Sequence, residues 1–131
     1  MLVNRKNKWK SKLVSLSLAT ALMAIAGAAG AASQSAYLDG SSTYKDTAII
    51  TAPSNSTGNI YATNTGANTQ TRGYGYKSID WWPDSIVAST NWLNPGQAER
   101  RYFTQTKGDK YYGQIVGQTV GSRGSVTITV Q

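Results

Sequence analysis

From Ser125 to the penultimate residue the chain reads Ser125-Val126-Thr127-Ile128-Thr129-Val130, apolar and hydroxyl side chains alternating without interruption. A period of two puts Val126, Ile128 and Val130 on one face and the threonines on the other. That is the pattern of a half-buried antiparallel strand. Shorter or less regular runs of β-branched and aromatic residues recur at 47–52, 59–63, 69–77, 85–90, 100–106 and 110–116. Gly, Asn and Pro break them, as at Pro53, Asn64-Thr65-Gly66 and Lys107-Gly108-Asp109. No window after Ser33 repeats apolar residues at helical spacing among helix formers.

Seven or so short strands predict an all-β domain, a small antiparallel β-sandwich with a small β-barrel as the alternative. Residues 47–52 and 59–63 look like one hairpin. The runs on either side of Lys107-Gly108-Asp109 look like another, joined by a three-residue loop with a central glycine. The candidate core is Ile49, Ile60, Ile86, Ala88, Trp92, Phe103, Ile115, Val126, Ile128 and Val130. In 69–77, alternation places Tyr74 and Tyr76 on one face, and Gly73 and Gly75 on the other.

The first third of the chain follows another rule. Residues 1–12 carry Arg5, Lys6, Lys8, Lys10 and Lys12 and no acid. Residues 13–32 then run without a charge, and small residues follow through Ser35. A basic head, an apolar middle and a small-x-small exit predict a secretory signal peptide over 1–32. Cleavage falls after Ala32, Ser33 or Ser35, leaving a single all-β domain over 33–131. A membrane-spanning anchor is the rival reading, but the end of the run is nearly all Ala and Gly and only weakly hydrophobic. The expectation is a secreted, extracellular protein with no stable membrane insertion after cleavage, and its general character is bacterial.

Charge and composition narrow the chemistry. The formal charge is +7, from 13 Lys and Arg against 6 Asp and Glu. Five of those basic residues lie in the head, so the domain itself is close to neutral. That is too small an excess for a nucleic-acid binder. The sequence holds neither Cys nor His. Disulfides, thiolate nucleophiles, Ser–His triads and most zinc sites are therefore closed to it. The carboxylates Asp39, Asp46, Asp80, Asp84, Glu99 and Asp109 remain for acid–base work, but so small a sandwich offers little room for a cleft between two of them. The chain reads as a non-enzyme with no catalytic residues, cofactor or metal.

Its most unusual segment is Ile79-Asp80-Trp81-Trp82-Pro83-Asp84. Neighbours on an extended chain point to opposite faces, so one indole can enter the core while the other points outward. Alternatively, both rings close the open end of the sandwich. An outward ring beside carboxylates suits a sugar, whose C–H face lies on the indole while its hydroxyls bond to Asp. The expected ligand-binding residues are Trp81, Trp82, Tyr74, Tyr76, Asp80 and Asp84. The function they suggest is a secreted, non-catalytic binding protein for a cell-wall or extracellular polysaccharide or a surface partner. The alternative is a secreted antimicrobial, bacteriocin-like effector or an inhibitor of a foreign hydrolase. A matrix component assembled through sheet edges is a third reading.

Overall fold

The structure, a computed structural model, describes residues 30–131. The predicted leader, apart from its last few residues, lies outside them. Residues Gln34–Gln131 form a compact unit, and no described residue is helical. Nine strands lie among the described residues: β1 (Ala32–Asp39), β2 (Tyr44–Asp46), β3 (Ile50–Thr51), β4 (Ser56–Asn64), β5 (Thr71–Ser78), β6 (Ser85–Ser89), β7 (Ala98–Gln105), β8 (Lys110–Gly117) and β9 (Arg123–Val130). They make two antiparallel sheets. One has the order β1-β9-β4-β7, and the other the order β2-β8-β5-β6 with β3 also paired to β8.

The inner faces follow from the alternation. Val126, Ile128 and Val130 are fully buried, and their register partners on β4 include Ala62 and Ile60, also fully buried. From the other sheet Ile115, Ala88 and Tyr111 complete the core, with Tyr111 tilted against Phe103 at 5.1 Å between ring centres. Small residues bring the sheets together. A Cβ added to Gly73 would sit 2.5 Å from the Cβ of Ala62, and one on Gly75 would sit 3.1 Å from Ile60 Cγ2. Backbone therefore meets side chain where two side chains would normally interdigitate, and the core is thin at this point.

Several expectations are corrected. There are nine strands rather than about seven, because β1 and the three-residue β2 are added. Neither anticipated hairpin exists. Strand β3 pairs with β8, whereas β4 pairs with β7 and β9 in the other sheet. Likewise β7 and β8 lie in different sheets, so Lys107-Gly108-Asp109 turns a corner between them. Gly108 holds it with φ +87° and an N–H donated to Ala52 O at 2.9 Å.

Three expected core residues face water instead: Ile49, Ile86 and Trp92 are each more than a third exposed. Each lies where pairing is interrupted. Thr47 inserts its hydroxyl to accept from Gly113 N at 2.9 Å, and after it Ile50, not Ile49, is buried. The β5–β6 register shifts at Gly75/Tyr76, with Gly75 opposite Ala88 and Tyr76 opposite Ile86. Val87 is the extra residue, so Ile86 joins the outward parity of Tyr76. A lone bridge between Thr71 and Leu93 turns Leu93 inward and Trp92 outward.

Candidate functional site

The link between β5 and β6, residues 79–84, is a turn and not an extended segment. Pro83 supplies no N–H for a ladder and helps end the pairing. The Asp84 side chain closes the turn, Oδ1 accepting the Ile79 N–H at 2.9 Å. Inside it, Trp81 has φ +68°, the one non-glycine positive φ among the described residues. A bulky side chain in that region is strained against its own backbone. Neither indole enters the core, since Trp81 is 98% exposed and Trp82 74%. Asp80 is exposed beside them.

A row of side chains on the outer face of the second sheet anchors this turn. Asp84 Oδ2 accepts the Tyr112 hydroxyl at 2.7 Å. Tyr112 and Tyr76 are register partners on β8 and β5, and their rings stack at 5.1 Å and 14°. Tyr74 follows, 5.9 Å from Tyr76 and tilted, and the Arg72 guanidinium lies 5.1 Å over its ring. Arg72 Nε is fixed in turn by donating to Thr90 O at 2.8 Å. Beside the row Gln114 donates to Asp46 at 2.9 Å.

Electrostatics makes the row a donor scaffold. Burial, then the bond to Asp84 and its charge, push the Tyr112 hydroxyl well above the ordinary phenol range. Burial, then the neighbouring Tyr74 and the Asp46 and Asp84 charges, also raise Tyr76. The bonds from Tyr112 and from the Ile79 amide hold the Asp84 carboxyl below its usual value. Near neutral pH Tyr112 is thus a firm hydrogen-bond donor and Asp84 an anion, a pairing suited to fixing geometry rather than moving protons.

The six expected site residues therefore separate into two groups. Trp81, Trp82 and Asp80 are displayed. Asp84, Tyr76 and Tyr74 stand behind them in the supporting row, and the Tyr76 face is used by Tyr112. Sequence reasoning missed Tyr112, which links the turn to the row. Only the β5–β8 register, which sets it opposite Tyr76, identifies it. Tyr102 is exposed on β7 opposite Asn59, in the other sheet from Tyr111 and Tyr112. The basic residues of β7 are also engaged. Arg100 lies 4.7 Å over the Tyr61 ring and donates to Asn59, and Arg101 pairs with Glu99.

Five of the carboxylates have distinct, non-acidic partners. Ser41 donates to Asp39, Gln114 to Asp46, Tyr112 to Asp84, Arg101 to Glu99 and Lys77 to Asp109. Among the described residues no group of three potential ligands could hold a metal ion.

No family model matches the chain. No curated protein matches it either. Among solved structures, the Yersinia pseudotuberculosis-derived mitogen is similar at 14% identity and a TM-score of 0.46, over 77% of this chain and 86% of that one. A protein from Sulfurospirillum deleyianum is similar at 10% identity and 0.42, over 76% and 98%. The infectious bursal disease virus Gt strain structure is similar at 13% and 0.37, over 79% of this chain and 31% of that chain. TM-scores below 0.5 are weaker than a shared fold requires, and nothing of those proteins' activities is carried over.

Proposed function

We propose that the protein is a secreted, non-catalytic binding module that holds a cell-wall or extracellular polysaccharide on the Trp81-Trp82 turn. One observation carries this reading: Trp81 is kept in a left-handed backbone conformation while its ring stands almost wholly in water. Strain of this kind persists only where the surroundings impose it, and it gathers at functional sites. A buried Trp removes roughly 150–250 Å² from water. At about 25 cal/mol per Å², leaving each indole outside forgoes several kcal/mol. The sheets touch at Gly73 and Gly75, which leaves no space for an indole at that point and is one reason the rings lie outside. The strain on Trp81 has no such explanation and fits display.

The chemistry of the turn suits a saccharide. A free indole face receives the C–H face of a pyranose. The Asp80 carboxylate beside it accepts hydrogen bonds from the sugar hydroxyls. Asp84 and Tyr112 hold the turn in place, which lowers the ordering cost of binding. Retention of the protein on purified cell walls and insoluble polysaccharides tests the proposal, with the Trp81→Ala, Trp82→Ala double variant alongside. The parent is expected to be retained and the variant to pass through, with unchanged melting temperature. Equal retention of the two proteins would remove the turn from the contact.

A further inference from the structure

A concavity lies at the far end of β6 from the tryptophan turn. It is a shallow pocket of about 380 Å³ lined by Asn91, Trp92, Leu93, Gln97, Ala98 and Glu99. Its size falls within the range of small-ligand sites. Its lining combines an aromatic ring with polar side chains. Trp92 is 39% exposed although Leu93 beside it is buried. Glu99 is held from two sides, accepting Asn91 N at 3.2 Å and pairing with Arg101. Gln97 Oε1 accepts Asn94 N at 2.8 Å, which orients the amide and leaves its NH₂ group without a partner among the described residues. The Asn91 side-chain amide likewise has no partner among them. One ring, two uncommitted amides and a fixed carboxylate provide a stacking surface, donors and acceptors for sugar hydroxyls.

Strand β6 connects this pocket to the turn. Asp84 precedes it, Asn91 follows it, and it is the edge strand of its sheet. Seven residues of extended chain at about 3.3 Å each separate the two places by roughly 20 Å. Ile86, 56% exposed, lies between them, and an edge strand leaves backbone N–H and C=O groups open along one side. We propose that the Trp92 pocket is a second saccharide subsite, and that one extended glycan runs along the β6 edge from the Trp81-Trp82 turn into it. This rests on the reading of the turn as a glycan contact and adds a length requirement. A disaccharide reaches one place or the other, and a chain several residues longer reaches both. Joining two weak contacts on one ligand raises affinity without any new contact.

The test is titration of the full chain with the dimer and the hexamer of β-1,4-linked N-acetylglucosamine and of β-1,4-linked glucose. The indole N–H resonances, assigned by single Trp→Phe variants, are followed throughout. The hexamer of at least one series is expected to bind about tenfold or more tighter than its dimer. It should move the signals of Trp92 and of the 81–82 pair together. Trp92→Ala, and independently Asn91→Ala, which leaves the exposed backbone intact, should reduce the hexamer to the affinity of the dimer. Hexamer and dimer binding equally, or a length gain that survives both variants, would overturn the second subsite and leave the turn as the sole contact. Failure of every oligomer to bind, together with no retention on cell walls, would overturn both proposals.

Discussion

Two stretches that meet at Ser78 treat large side chains in opposite ways. Along β5 the inward positions are Gly73 and Gly75, so close to β4 that even a methyl group at Gly73 would collide with Ala62. A few residues later two tryptophans, the largest apolar side chains in the chain, stand in water. The contrast separates what this fold needs from what it carries. Where the two sheets approach most closely the sandwich closes on backbone, alanine and β-branched residues, and neither Trp81 nor Trp82 enters its core. The turn is held by polar bonds to Asp84, so its rings are free of packing duty.

The largest effect should come from breaking the tight side. Gly73→Val places branched carbon where the sheets already touch, and overpacking there should cost about 3 kcal/mol. Chemical denaturation should show an earlier midpoint with little change in slope. A stability near that of the parent would mean the sheets can separate locally, and the core would not be the rigid half of the comparison.

Next comes the polar lock at the other end of the core. The buried Gln105 amide donates to Ser54 O and Gln131 O, and its oxygen accepts Gln131 N. Gln105→Ala removes three bonds and should cost about 2 kcal/mol. Hydrogen exchange should then accelerate first in β9 and the β3–β4 link.

The displayed side should respond with the opposite sign. Trp81→Gly relieves the left-handed backbone conformation, worth about 1–2 kcal/mol for an L-residue. The melting temperature should rise. A fall would show that the ring packs against something and that display is the wrong description.

The smallest effect concerns the support. Tyr112→Phe keeps the ring stack with Tyr76 and removes the bond to Asp84. Asp84 is held below its ordinary value in the folded protein. Its contribution is therefore present above the unfolded carboxyl value and lost as pH falls through the lower, folded one. Tyr112→Phe should reduce that acid-side loss and bring the Asp84 titration nearer the ordinary range, as read by carboxyl NMR. Near neutral pH, indole fluorescence should report a looser turn with the fold unchanged.

What was legible in the sequence follows the same division. Strict alternation found β9 and both faces of β5, because a period of two is a local property. Ile86, Ile49 and Trp92 were misassigned where Val87, Thr47 and the Thr71–Leu93 bridge interrupt pairing. Such interruptions depend on the partner strand and not on the strand itself. The two false hairpins arose in the same way, since the 107–109 turn resembles a hairpin loop whether its strands pair or part between sheets. Strand β1 was hidden because the small-residue exit expected of a leader and an edge strand can share a composition. At the site, the adjacent tryptophans between aspartates were conspicuous in the sequence. Tyr112 was not, because nothing local distinguishes it from Tyr111, which is buried in the core.

The proposal stands on the turn being a strained display element for a glycan. Retention of Trp81→Gly protein on purified cell walls, read against its melting temperature, tests it most directly. Retention should be lost and stability raised in the same variant. Full retention, whatever the melting temperature, would contradict it.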